Sequence, residues 1–168
     1  MPTRPVGERH CVEDLGFVPS LADWLRPLRL EGWMARGWNR GEASEEHPLV
    51  LARETARRYG GRPGDYLPLH RFLDETKAHF PDPRHRAMRH HGAGIREGVA
   101  LFGETVVNAD GEEVAVEKVL ELHLLLELDR IPTVEDWLLR IRPAPWMLRG
   151  TDRSVARLSL KDLEEATS

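Results

Sequence analysis

The apolar positions of this chain recur mostly three and four residues apart, the spacing of helices that bury one face. Residues 48–59 form one such run, with Pro48 in the first turn and Gly60-Gly61 as the stop. A second helical run covers residues 66–79, interrupted in pattern only by Pro68. Phe80-Pro81-Asp82-Pro83 is a sharp break, after which Asp82 caps a third helix with Pro83 at its first position. That helix is expected to run to about Phe102 and stop at Gly103. The period changes over residues 104–117, where two β-branched runs flank Asn108-Ala109-Asp110-Gly111, a hairpin signal. Residues 116–128 return to helix. The expected fold is mostly α: a compact helical domain with one small β-hairpin.

A second regularity runs through the whole chain. Displaced by 113 positions, residues 8–37 fall on 121–150 without a gap and with twelve identities, among them His10/His123, Trp24/Trp137, Trp33/Trp146 and Met34/Met147, while the apolar Leu28 falls on Ile141. Each copy has the same grammar. A helical run ends near Leu15 or Leu128, and Ser20 or Thr133 then caps a short helix with Asp23 or Asp136 in its first turn. A Trp-Met pair follows, read as an anchor for an extended tail. The organisation expected is a duplicated element over 1–40 (the repeat of 121–150), a main helical domain over 48–150, and a polar tail over 151–168. Residues 35–47 read as a linker. The extra copy would dock pseudo-symmetrically on the same unit, or on a partner chain in a homo-oligomer.

Composition narrows the classes further. The 24 basic against 28 acidic residues leave a net charge of -4, which argues against a generic nucleic-acid coat. The single cysteine, Cys11, excludes an intrachain disulfide and a thiolate metal site, and fits a cytoplasmic protein. The most apolar stretch, Val119 to Leu128, is interrupted by Glu121, His123 and Glu127, so no membrane span is expected.

Histidine is where the chemistry concentrates. Five of the eight histidines, His70, His79, His85, His90 and His91, fall within 22 residues, accompanied by Asp74 and Asp82. His70 and Asp74 stand four apart on one helix and so share a face. A turn at Pro81 can bring that face towards His85 and His90. His70, Asp74, His85 and His90 are the candidate metal ligands, with His123 a further one. Imidazoles and carboxylates without thiolate suit Zn, Mn, Fe or Ni. His79, beside the Pro81 break, reads as a loop or capping residue. His91 falls on the stripe Met88/His91/Ile95/Val99/Phe102 and reads as a core histidine. Arg84, Arg86 and Lys77 lie in the same stretch, near a capped helix start, where phosphate binds readily.

Three functional readings follow. The leading one is a metal-dependent hydrolase acting on a phosphate ester or nucleotide, with Arg84, Arg86 and Lys77 orienting the anion. The second is a non-catalytic assembly module in which the Trp-bearing arm makes the contact and the histidines form a structural network. The third is RNA or phosphate binding through the Arg84–Arg96 helix.

The stretches Gly61-x-Pro63-x-Asp65-Tyr66-Leu67-Pro68-Leu69-His70, Asp82-x-Arg84-His85-Arg86-Ala87 and Ile131-Pro132-Thr133-x-x-Asp136-Trp137-Leu138 carry a resemblance. Over about residues 50–140 the chain resembles a family of small bacterial and phage proteins, a domain of unknown function. The resemblance implies the domain and attaches no activity to it.

Overall fold

The computed structural model describes residues 6–38 and 47–149; most of the expected linker and the whole tail 151–168 lie outside the described residues. The chain divides into two compact units, Met1–Ser20 with Arg142–Ser168, and Leu21–Ile141. In the first, helix α1 (Val6–Leu15) is stopped by Gly16, whose φ of +81° favours glycine. Phe17 then meets the Trp146 ring edge-on at 5.4 Å, and the Arg149 guanidinium donates to the Leu15 carbonyl at 2.9 Å.

The second unit contains α2 (Leu21–Leu25), α3 (His47–Tyr59), α4 (Pro63–Asp74), α5 (Gly92–Phe102), α6 (Val116–Leu128) and α7 (Val134–Leu138). The expected hairpin is present as β1 (Thr105–Val107) and β2 (Glu113–Ala115), antiparallel with Val106 opposite Val114. The fold is mostly helical with this one small hairpin, as the periodicity predicts.

Helix α6 is the centre of the unit. Val116, Val119, Leu120 and Leu124 are buried in it, and they pack with Leu69, Phe72 and Leu73 of α4, Ala52 of α3 and Ile95 of α5. At about 25 cal/mol per Å² of apolar surface removed from water, this cluster is the main source of cohesion. The hairpin turn is tied to it by side chains. Asp65 accepts from the amides of Arg62 and Ala109, and Asn108 donates to the Tyr59 carbonyl. The backbone hydrogen bonds given to the Asp65 carboxylate hold its pKa below the ordinary range.

A smaller cluster joins Leu28 and Met34 to Leu128 and Trp137, with the Trp33 ring edge-on to Trp137 at 4.9 Å. Leu28 and Ile141, which the 113-residue offset superposes, pair in an antiparallel bridge, and Arg29 N donates to the Arg140 carbonyl at 2.9 Å.

The Thr133 expectation holds in full. Thr133 Oγ1 accepts from Asp136 N at 3.1 Å, while Asp136 Oδ2 accepts from Thr133 N at 2.8 Å, a reciprocal capping box. Thr133→Ala should cost about 1 kcal/mol in chemical denaturation, with Thr133→Ser close to wild type. An unchanged midpoint for the alanine variant would show that the cap contributes nothing.

One expectation needs correction. Asp82 does cap a helical turn, accepting from Arg84 N at 2.9 Å, but the turn is a 3-10 segment, Pro83–Met88. No continuous helix runs to Phe102. The chain straightens at His91 (φ −160°, ψ 168°), and α5 starts afresh at Gly92. His91 is buried and hydrogen-bonded, as expected of a core histidine, but it serves as the N-cap of α5 rather than lying on a continuous stripe, its Nδ1 accepting from Gly94 N at 3.1 Å. The break depends on Gly94: a Cβ there would stand 1.9 Å from the Arg89 carbonyl oxygen. Likewise α4 ends at Asp74 and continues as a 3-10 turn, Glu75–Ala78, rather than as helix to residue 79.

Candidate metal centre

The break at residues 89–91 is what points His90 inwards. Its side chain is fully buried against α4 and α6, and the Trp137 indole donates to the His90 carbonyl at 3.2 Å, fixing the strand that carries it. From α4 comes Asp74. From α6 come His123 and Glu127, one helical turn apart on a common face. One donor atom from each of Asp74, His90, His123 and Glu127 lies within 4.8 Å of every other, the one metal-capable grouping among the described residues. All four side chains are at most 4% exposed.

The spacings can be compared with a known coordination geometry. Two ligands each 2.0–2.1 Å from a tetrahedral zinc stand about 3.3–3.4 Å apart. His90 Nε2 and His123 Nε2 are 3.3 Å apart. Glu127 reaches them at 3.0 Å (Oε2 to His90) and 3.4 Å (Oε1 to His123). Asp74 Oδ1 is further out, 3.7 Å from His90 and 4.0 Å from His123. The two imidazole nitrogens have the edge length of a zinc site, Glu127 approaches each of them through a different oxygen, and Asp74 completes the group from further out.

Around these donors stands a supporting ring. His47, at the start of α3, donates from Nε2 to Glu127 Oε1 at 2.7 Å. The buried Arg86 places Nε 3.3 Å from Glu127 Oε2, and Lys77 Nζ is 2.9 Å from Asp74 Oδ1. His70 stacks on His123, and His85 meets His90 edge-on at 5.3 Å. The indole of Trp38 packs beside His85 and under the cationic ends of Lys77 and Arg86. Three buried atoms that take part in none of these ion pairs also lack a hydrogen-bond partner among the described residues: Asp74 Oδ2, His90 Nδ1 and His85 Nε2. Buried polar atoms are nearly always satisfied, so three together are exceptional for a core.

The ionisation states suit metal capture. Burial, together with the neighbouring His123, pushes His70 down to about 2, and burial pushes His90 down to about 4. His85 is lowered by burial as well. These three rings are neutral near pH 7 and offer lone pairs. Burial alone would raise Glu127, but the ring of histidines around it, with His47 donating to Oε1, outweighs burial and holds the carboxylate well below its usual range.

Sequence spacing and structure divide as follows. Asp74 and His90, expected as ligands, are both in the group. His70 and His85, also expected there, stand one step outside it, each touching a ligand ring. His123 joins them. Glu127 and His47 were not anticipated. The signal for Glu127 lay in the most apolar stretch of the chain, where His123 and Glu127 repeat the four-residue spacing of His70 and Asp74. A carboxylate inside a helix buried on most sides requires a partner.

The cations are placed differently from an exposed phosphate cradle. Arg84 is paired with Asp82 and donates to the Leu28 carbonyl at 2.8 Å. Arg86 turns inwards, donating to the Met34 and Arg36 carbonyls at 3.0 Å. Lys77 lies against Asp74. No helix among the described residues is long and apolar enough to cross a membrane.

A family model described as a domain of unknown function (DUF6915) matches residues 1–34 and 46–147, and the chain belongs to that family. Neither a curated protein nor a solved structure matches it.

Proposed function

We propose that this member of the family is a metalloprotein, holding one divalent transition metal ion among Asp74, His90, His123 and Glu127. The observation that carries the reading is the convergence of two imidazole Nε2 atoms, 3.3 Å apart, on two buried carboxylates. Nitrogen and carboxylate donors without thiolate fit Zn, Mn, Fe or Ni.

The donor set supports a finer step. Asp74 stands further out than His90, His123 and Glu127, so a divalent ion held by these three would keep a position for an oxygen ligand, hydroxide or phosphoryl. On this reading the chain would hydrolyse a phosphate ester or nucleotide, the ion lowering the pKa of a bound water.

Calorimetric titration with zinc tests the metal site. Wild-type protein should bind one equivalent, and His123→Ala should bind more than about a hundredfold more weakly, since even residues behind the ligands cost 10–100-fold. Zinc affinity unchanged in His123→Ala would remove the assignment. Turnover of a generic aryl phosphate by the zinc- or manganese-loaded protein, lost in the same variant, tests the hydrolytic step; a loaded protein inert towards phosphate mono- and diesters would dispose of it.

A further inference from the structure

The structure assigns Thr55 and His70 a positioning role: together they dictate which nitrogen of His123 carries the proton, and so leave its Nε2 lone pair facing the other ligands. The role in metal capture rests on the metal reading above; the proton arrangement does not.

The argument is a count of hydrogens along four buried groups. Thr55 Oγ1 donates its only hydrogen to the Leu51 carbonyl, 3.0 Å away and one helical turn back on α3. Towards His70 Nε2, at 2.8 Å, the hydroxyl can therefore only accept. His70 Nε2 must carry the hydrogen. The ring is fully buried and neither of its hydrogen-bond partners, Thr55 and His123, is a carboxylate, so it carries a single hydrogen and its Nδ1 is left with a lone pair. His70 Nδ1 and His123 Nδ1 are 3.0 Å apart, a separation that requires one hydrogen between them. Because His70 Nδ1 has none, His123 Nδ1 supplies it. His123 Nε2 is thereby stripped of hydrogen and presents a lone pair to His90 Nε2, 3.3 Å away, and to Glu127 Oε1, 3.4 Å away.

A lone pair aimed at a carboxylate is repulsive unless a cation lies between them. The chain from α3 through α4 to α6 therefore arms His123 as a ligand, and it does so without placing a further carboxylate behind the ring. It also explains why His70, although it has a ligand's spacing from Asp74, is not in the first shell: both of its nitrogens are committed, one to Thr55 and one to His123. The usual partner behind a ligating histidine is a carboxylate or a carbonyl; here a second imidazole relays a backbone carbonyl through a threonine.

The test is long-range proton–nitrogen NMR of the full-length, 15N-labelled protein, which reads each imidazole tautomer without needing metal. Wild type should show His70 protonated at Nε2 and His123 protonated at Nδ1. Thr55→Val keeps the shape but removes the acceptor, so His123 should become a mixture of tautomers and zinc affinity should fall about 10–100-fold. Thr55→Ser should restore both readouts. A wild-type spectrum with His123 protonated at Nε2 would overturn the assignment, whatever the variants do. So would a folded Thr55→Val variant with wild-type tautomers. The predicted tautomers in a protein that ignores zinc would confirm the relay and defeat the metal reading, so the two claims fail separately.

Discussion

Glu127→Gln is expected to destabilise the protein by about 3–5 kcal/mol in chemical denaturation, the cost of removing one member of a buried ion pair. Glu127 is contacted at once by His47, Arg86, His90 and His123, all inside the core. The amide nearly matches the carboxylate in shape, so packing is preserved and the loss is electrostatic. Arg86 is fully buried and also donates to the Met34 and Arg36 carbonyls. Without Glu127 the guanidinium keeps its charge and loses this carboxylate. The glutamine also turns an NH2 group towards donors, His47 or Arg86, leaving at least one unsatisfied. A loss below about 1 kcal/mol would mean that the pair is not formed as described.

Mild acid should be the second large perturbation. His70, His85 and His90 are all held below the unfolded value of about 6.5, His70 at about 2 and His90 at about 4. The sign follows directly. A histidine that is neutral when folded gains its proton only on unfolding, so its contribution is intact above about pH 6.5 and erodes as pH falls towards the folded value. Between about pH 7.5 and pH 5.5 each ring costs on the order of 1 kcal/mol, and the three together a few kcal/mol. Glu127, also depressed, acts in the same sense at lower pH. That sum is a large share of a typical domain's stability. Urea midpoints of the metal-free protein at the two pH values measure it directly, and equal midpoints would mean that these rings are already solvated in the native state.

What could be read from the sequence divides along physical lines. The hairpin, the α6 boundaries and the Thr133 cap are local: Asn108 to Gly111, the run from Val116 to Leu128 and the Thr-x-x-Asp spacing each determine their own geometry. The site was half legible. Asp74 and His90 stood out because histidine density is visible in a string. Glu127 did not, because its meaning depends on α6 being buried on most of its faces, and a string does not show which helix is central. His70 carried the right spacing and a different role, since hydrogen-bond partners on α3 and α6 decide what its two nitrogens do. The break at His91 was hidden for a similar reason. Residues 83–102 have helical periodicity throughout, and only the close approach of Gly94 to the Arg89 carbonyl shows that the run is two elements.

That break also sets the chemistry. A continuous helix would carry residue 90 on a course fixed by Pro83, whereas the extended turn at His91 lets the chain reverse and deliver the His90 ring to α6. The fold has placed a glycine-dependent corner where a ligand is needed.

The most direct test of the metal centre is elemental analysis of the untagged protein, purified without chelator and then re-examined after incubation with zinc and with manganese. The geometry predicts one equivalent of a transition metal per chain, absent from His123→Ala. A protein that emerges metal-free and takes up neither ion would contradict the centre, and leave Asp74, His90, His123 and Glu127 as a buried ion-pair network closed by Lys77 and Arg86.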